Sequence, residues 1–354
     1  MLKLLYVISN TNGEKFTPFL FLLKKTGAED QLIPKSVEYR IANNYSYMSI
    51  FGTIFSLFKF CRKIKPDIIV SFLWRANIVS AFVSLFCRIK LILAEHTVTD
   101  ICISGYKHSF FKSVVLSLSY RIANKIIAVS DDVKDSLINY LKVDKNKVET
   151  IYNGVDIVTI ETNSIEKVSL PFKEYLISCG RLEKEKNYSF LLEVINFLKQ
   201  ELSVNIPLVI LGEGRERNKL EKKAKDLNID LFMPGYIENP YPYIKNAKAF
   251  VLSSTYEGFP GVILEAMVLK TPIITVACRG GINEIIKNGV NGIIVEQNNI
   301  KAFASAIKDL KQNIPLKEKL VENAYKTVRE KYDIKEMLFK YESIMEEIIY
   351  EKKI

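Results

Sequence analysis

The chain has 354 residues, 48% of them hydrophobic and 25% charged, with a net charge of +10: enough for two globular domains and no signature of disorder. Its five cysteines, at positions 61, 87, 102, 179 and 278, form no CxxC pair, and His96 and His108 are the only histidines, which excludes a disulfide scaffold and a histidine-rich metal centre. No cleavable-leader pattern opens the chain and no apolar run reaches eighteen residues, so neither a signal peptide nor a transmembrane helix is expected, and the scattered thiols fit a reducing, cytoplasmic compartment.

Strands are predicted at 2–8, 67–72, 90–94 and 125–129, alternating with helices near 47–64, 76–87, 109–124 and 131–141. Ser130 stands where a helix N-cap belongs, just before the last of these. Strand–helix alternation of this kind implies a parallel sheet with right-handed crossovers. The basic excess lies here: residues 1–160 hold 21 Lys and Arg against 13 Asp and Glu, the remainder 29 against 27. The polar stretch 158–171 breaks the periodicity and reads as a linker. Strands at 175–178, 207–211, 249–252, 272–275 and 292–295 then alternate with helices near 187–201, 214–228, 260–269 and 299–312, and two more helical stretches close the chain. The expected organisation is α/β, with two doubly wound domains at 1–157 and 172–332, the linker between them, and a last helix, 333–354, returning to the first domain. Ligands of such sheets lie outside the carboxyl ends of the strands, so the residues just after each strand carry the functional reading.

Several chemistries find no support. There is no GxxxxGK[ST], no GxSxG and no Asp-x-Asp, and the third glycine of a dinucleotide fingerprint after Gly212 and Gly214 is replaced by Arg217. A bound phosphate would have to be met by side chains and backbone dipoles, without a metal. The run "CGRLEKEKN" (179–187) ends a strand and presents Arg181 and Lys186, a fork and a compact charge suited to a diphosphate; a solvated turn fits equally, since Glu183 and Glu185 are interleaved. In "YEGFPGVILEAM" (256–267) a strand leads into a turn and a helix whose first N–H groups form an anion site. Glu257 and Glu265 flank that helix start and could bracket a polyhydroxylated ligand, although Glu265 also fits a helix-dipole partner. "CRGGINE" (278–284) repeats the strand–glycine–helix pattern, with Gly280 and Gly281 free to approach a ligand, and "GYIENP" (235–240) could hold a flat base or simply connect two elements.

In order and spacing, "GRLEKEKN", "LVILGEG", "PGYIENPYPYI", "SSTYEGFPGVILEAM", "TPIITV" and "GGINEIIKNGVNGIIV" closely resemble the retaining glycosyltransferases of family 4, of the GT-B fold and the bacterial surface-polysaccharide type. The resemblance spans nearly the whole chain. It implies a nucleotide-sugar donor, a UDP-sugar, with Arg181 and Lys186 on the diphosphate, Glu257 on the transferred sugar and Glu265 on the ribose hydroxyls. It also implies that the turn Gly258, Phe259, Pro260 and Gly261 lies near the sugar and phosphate, that Tyr236 and Ile237 frame the base, and that His96 lies close to the sugar; a purely structural histidine is the alternative. Anomeric retention without a protein nucleophile, a cofactor or a metal follows, with the leaving diphosphate helping to deprotonate the acceptor. "VSFLWRANIVSAF" (70–82) is similar to a segment of the same relatives and puts Arg75 and Asn77 on the acceptor side, Arg75 facing an acceptor phosphate. One departure is the first loop, "SNTNGEK" (9–15), with a single glycine, Gly13, where the family has a pair.

The resemblance further implies a glycan or lipid-diphosphate-linked acceptor. Stretches 49–65 and 106–125 mix aromatic, aliphatic and basic residues as interfacial helices do, so peripheral contact with the inner face of the cytoplasmic membrane is expected, core packing being the other reading. Alternatives are a sugar-nucleotide-binding protein without transferase activity, a transferase with a soluble acceptor, and a GT-B phosphorylase or epimerase. No aromatic–basic motif supports nucleic-acid binding.

Overall fold

A computed structural model describes residues 15–23, 33, 37–42, 50–104 and 109–350. The expected first strand at 2–8 and the loop glycine Gly13 lie outside the described residues. The chain divides into two compact units, Met1–Tyr152 with Met337–Ile354, and Asn153–Glu336.

In the first unit, β1 (Phe19–Leu22) and β2 (Glu38–Ile41) pair in parallel. A four-stranded parallel sheet follows, in the order β3 (Ile68–Phe72), β4 (Lys90–Glu95), β5 (Lys125–Ala128), β6 (Val148–Thr150). Leu91, Ile92, Leu93, Ile126 and Ile127 are fully buried, which explains continuous rather than alternating apolar runs. The connecting helices are α1 (Ile50–Ile64), α2 (Trp74–Cys87), α3 (Thr99–Ser104), α4 (Ser109–Ile122) and α5 (Asp131–Asn139). Ser130 caps α5, its hydroxyl accepting from the Val133 N–H, as the sequence pattern predicts.

The second unit opens with α6 (Ile157–Asn163), at the start of the segment expected to be a linker. Asp156 caps it by accepting from the Thr159 N–H at 3.0 Å, and Ile157 and Ile160, one helical turn apart, are buried. Four polar residues in seven hide that short apolar side from a reading of composition. The unit closes on itself where the chain enters and leaves: Val155 donates to Tyr332 O and accepts from Ile334 N–H.

Its sheet has six parallel strands: β7 (Leu176–Cys179), β8 (Leu208–Leu211), β9 (Leu231–Gly235), β10 (Ala249–Leu252), β11 (Ile273–Val276) and β12 (Ile293–Val295). Their order is β12-β11-β10-β7-β8-β9. The intervening helices are α7 (Tyr188–Glu201), α8 (Arg217–Asp226), α9 (Tyr241–Lys245), α10 (Gly261–Val268), α11 (Ile282–Ile285), α12 (Ile300–Gln312) and α13 (Ile314–Lys331); α14 (Ile334–Tyr350) ends the chain. On α7, Leu191, Val194, Ile195 and Leu198 recur at helical spacing and are buried against the sheet and α12, where Phe190 meets Phe303 edge-on at 5.6 Å. Each such side chain contributes about 1.5–3 kcal/mol by burial. Strand order reverses between β7 and β10, and a doubly wound sheet opens its ligand crevice at the carboxyl ends of that pair.

Candidate active site

Beyond β7 the chain passes Gly180 and Arg181 into a single helical turn, Lys184–Lys186, which Asn187 ends in a left-handed conformation (φ 49°). Beyond β10 it runs through Ser253 to Pro260 and into α10. Neighbouring strands of the switch point therefore bring together two loops about seventy residues apart in sequence. They are stitched to each other: Ser253 Oγ donates to Lys186 O at 2.7 Å, and Thr255 N–H donates to Glu185 O at 2.8 Å.

Lys186 Nζ lies 2.5 Å from Glu257 Oε1, and the two side chains are only 15% and 12% exposed. Ser254 Oγ donates to the same carboxylate oxygen at 2.6 Å. The pair sits beside the start of α10. That helix begins after Pro260 with no side-chain cap, leaving backbone donors for an anion. Gly180 packs against the Tyr188 hydroxyl and the Lys186 stem. Arg181 behaves differently. It is 74% exposed and pairs with Glu185 in its own turn at 2.9 Å, as a surface cation at the mouth of the same loop.

Glu265, half-buried in α10, acts electrostatically on two groups: with burial the larger cause, it raises the Cys179 thiol at the end of β7 and the Tyr241 hydroxyl. Tyr236 acts on the same Tyr241 hydroxyl, which ties the loop expected to frame the base to the Glu265 neighbourhood. Tyr236 is exposed and Ile237 half-buried. Within the turn, Gly258 is partly exposed, whereas Phe259 is buried edge-on against Tyr332 at 5.6 Å and Pro260 is buried. Phe259 and Pro260 thus offer a ligand backbone rather than side chains.

The glycine pair after β11, expected to approach a ligand, packs on the Glu257 turn. Gly280 has φ +105°, and a Cβ there would lie 1.3 Å from the Glu257 carbonyl oxygen. Its conformation and missing side chain let the β11–α11 loop lie on the Glu257 turn, where Glu257 N–H donates to Arg279 O and Gly281 N–H to Gly258 O, both at 2.9 Å. Gly212 plays the same part beside β7, where a Cβ would meet Gly180 O at 2.0 Å.

In the first unit, His96 follows β4 half-buried, its ring 5.8 Å from Phe72. Its loop is held by Glu95, which is 1% exposed. One Glu95 oxygen accepts from His96 N–H, Thr97 N–H and Thr97 Oγ1 at 2.9, 3.0 and 2.7 Å, and the other from Tyr120 Oη at 2.5 Å. Burial raises the Glu95 carboxyl above its ordinary range despite these donors. Asn77, expected on the acceptor side, is fully buried and donates to Ala94 O and Tyr120 Oη. Its amide braces the end of β4 from within. Arg75 lies over the Trp74 ring at 5.0 Å. Sequence reasoning missed Ser254, Glu95 and Tyr120. The hydroxyl pair directly after β10 was the one visible signal. Among the described residues, no group of three or more His, Cys, Asp or Glu is placed to hold a metal ion.

Similarity to known proteins covers both units. The chain is 28% identical over 282 residues to the N-acetylgalactosamine-N,N'-diacetylbacillosaminyl-diphospho-undecaprenol 4-alpha-N-acetylgalactosaminyltransferase of Campylobacter jejuni, 78% of this chain and 75% of that one. It is 26% identical to the UDP-Gal:alpha-D-GlcNAc-diphosphoundecaprenol alpha-1,3-galactosyltransferase of Escherichia coli, over 75% and 72% of the two chains. Among solved structures, HepE of Anabaena in complex with UDP and glucose superposes with a TM-score of 0.79 at 16% identity, covering 97% of this chain and 95% of that one, which places the fold in the GT-B class. The sequence model for glycosyl transferases group 1 matches residues 160–327, and that for Glycosyltransferase Family 4 matches residues 15–158. With both halves matched in order, the chain belongs to the group 1, family 4 glycosyltransferases.

Proposed function

We propose that the chain transfers a hexose or N-acetylhexosamine from a UDP-sugar, with retention and without a metal, to a lipid-diphosphate-linked glycan in surface-polysaccharide synthesis. The observation that carries this reading is the Lys186–Glu257 pair, shielded from water beside the uncapped start of α10 at the switch point. Two relatives named for transfer to diphospho-undecaprenol-linked acceptors, and a structural neighbour that holds UDP and glucose, support the choice of acceptor and donor.

In the reaction the C1–oxygen bond to the diphosphate breaks as the acceptor oxygen bonds to C1 on the same face. The acceptor's hydroxyl proton passes to a leaving phosphate oxygen. Lys186, Arg181 and the first N–H groups of α10 stabilise the negative charge that grows on the diphosphate. Glu257, held in place by Lys186 and Ser254, accepts from hydroxyls of the transferred sugar. Glu265 accepts from the ribose hydroxyls.

The test is a panel of nucleotide sugars offered with lipid-diphosphate acceptors, scored for turnover and for the anomer formed. Arg181→Ala should lower turnover about a hundredfold, and EDTA should leave it unchanged. Tight donor binding without turnover on any acceptor would reduce the chain to a sugar-nucleotide-binding protein. Inactivation by EDTA with rescue by magnesium would overturn the metal-free chemistry, and an inverted product the retention.

A further inference from the structure

Helices α1, α2 and α4 of the first unit lie side by side, α2 packed between the other two. Their inner sides are accounted for: Leu57, Phe60 and Cys61 of α1 pack with Val79 and Val83 of α2 in one cluster. Their outer sides are apolar as well. Phe51 and Phe55 on α1 are 79% and 57% exposed, Phe82 and Phe86 on α2 are 42% and 72%, and Phe110 and Leu118 on α4 are 82% and 54%. Each pair is separated by four or eight residues, so each helix shows one apolar stripe to solvent. Soluble monomers scatter exposed aromatics singly; three neighbouring stripes mark a contact surface.

Charge identifies the occupant. Segments 50–64, 74–87 and 109–122 contain no aspartate or glutamate and six cations: Lys59, Arg62, Lys63, Arg75, Lys112 and Arg121. Lys65 and Arg88, just past the ends of α1 and α2, take left-handed conformations (φ 49° and 56°) where glycine or asparagine is the usual choice. With Arg62 and Lys90 they line a cleft beside Phe58 and Phe86, at the edge of the apolar face, four cations against one acid, Asp67. None of these four cations forms an ion pair among the described residues. A symmetric dimer through this face would oppose cation to cation, with no acid on the three helices and only Asp67 in the cleft to pair them. An anionic bilayer supplies both the apolar depth and the countercharge.

We propose that the α1–α2–α4 face rests on the anionic surface of a lipid bilayer, its aromatics buried at the headgroup boundary and the Arg62–Lys65–Arg88–Lys90 cleft seating a headgroup phosphate. This deepens the reading above, since it is the surface from which a lipid-linked acceptor would be met. No helix among the described residues is long and apolar enough to cross the membrane, so the contact is peripheral.

The experiment is vesicle flotation of the full chain, with phosphatidylcholine alone and with added phosphatidylglycerol. Flotation should require the anionic lipid. Phe51→Ser with Phe86→Ser should lower the partition at least about tenfold, and Arg62→Gln with Arg88→Gln about 30-fold, or about fivefold per cation. Unfolding midpoint and hydrolysis of the nucleotide sugar in solution should be those of the parent in both variants. Absence from anionic vesicles, or flotation unchanged in both variants, overturns the proposal. So does a dimer that Phe51→Ser with Phe86→Ser converts to monomer. Vesicle binding without turnover on any donor would instead sink the transferase reading and leave this one standing.

Discussion

Lys186→Met removes the cation that faces Glu257 and strands the carboxylate. The side chains are 15% and 12% exposed and 2.5 Å apart, so the remaining charge keeps its desolvation and loses its counter-ion. Breaking such a pair from one side costs about 3–5 kcal/mol. Ser254 Oγ still donates to the same oxygen at 2.6 Å, which points to the lower end, about 3 kcal/mol. Adding Glu257→Gln removes the stranded charge, and the double variant should regain about 2 kcal/mol of that loss. Turnover obeys different arithmetic. One positioned donor on a developing anion is worth about a hundredfold to a thousandfold in rate, and a neutral pair cannot replace it. Urea unfolding and nucleotide-sugar turnover, measured on parent, both single variants and the double, separate the two effects. Recovery of turnover together with stability in the double variant would make Lys186 a structural counter-ion and refute its role on the leaving group. Unfolding of Lys186→Met at the parent's urea concentration would refute the cost assigned to the buried charge.

Gly280→Ala would place a methyl group against the Glu257 carbonyl at a backbone φ of +105°; a loss of about 2–3 kcal/mol in urea unfolding and a raised KM for the donor are expected, since the bonds from Glu257 N–H and Gly281 N–H are broken together. Glu95 has a folded-state pKa raised by burial above its ordinary 4.5, so the unfolded chain ionises first and the stability of the parent should fall as pH rises above that value, until the folded carboxyl ionises too. Glu95→Gln should lack that fall, and a parent-minus-variant difference in unfolding free energy that stays flat from pH 4 upward would contradict it. Leu73, 53% exposed at φ 74° and ψ 142°, holds a strained backbone between β3 and α2; Leu73→Gly should stabilise the chain by about 1 kcal/mol after the entropy of glycine is counted, read in the same urea titration.

How far the sequence could be read depended on how local each signal was. Ala249–Leu252 has the expected bounds because four consecutive residues are buried on both faces and polar turns flank them. Glu38–Ile41 escaped because three of its four residues are exposed and only its pairing with β1 makes it a strand. Residues 158–163 read as linker because only Ile157 and Ile160 of that helix are buried. The same distinction governs the site. Glu257, Glu265, Arg181 and Lys186 stand in runs that can be recognised by spacing alone. That Lys186 and Glu257 form a pair, that Ser254 serves it, and that Asn77 braces Tyr120 and Glu95 depend on which strands are neighbours, and sheet order is not written in any short window.

On the proposed reading, the stitched loops at the switch point also bear on how donor preference can be altered. Glu185 and Lys186 accept from Thr255 and Ser253, while Glu257 and Gly258 are bonded in turn to Arg279 and Gly281. The turns after β7, β10 and β11 therefore form one hydrogen-bonded cassette. A graft that exchanges the Glu257 turn alone leaves mismatched partners on both flanks. Transplanting specificity from a relative requires moving all three turns together, and variation confined to one of them will register as lost stability before it registers as a new sugar.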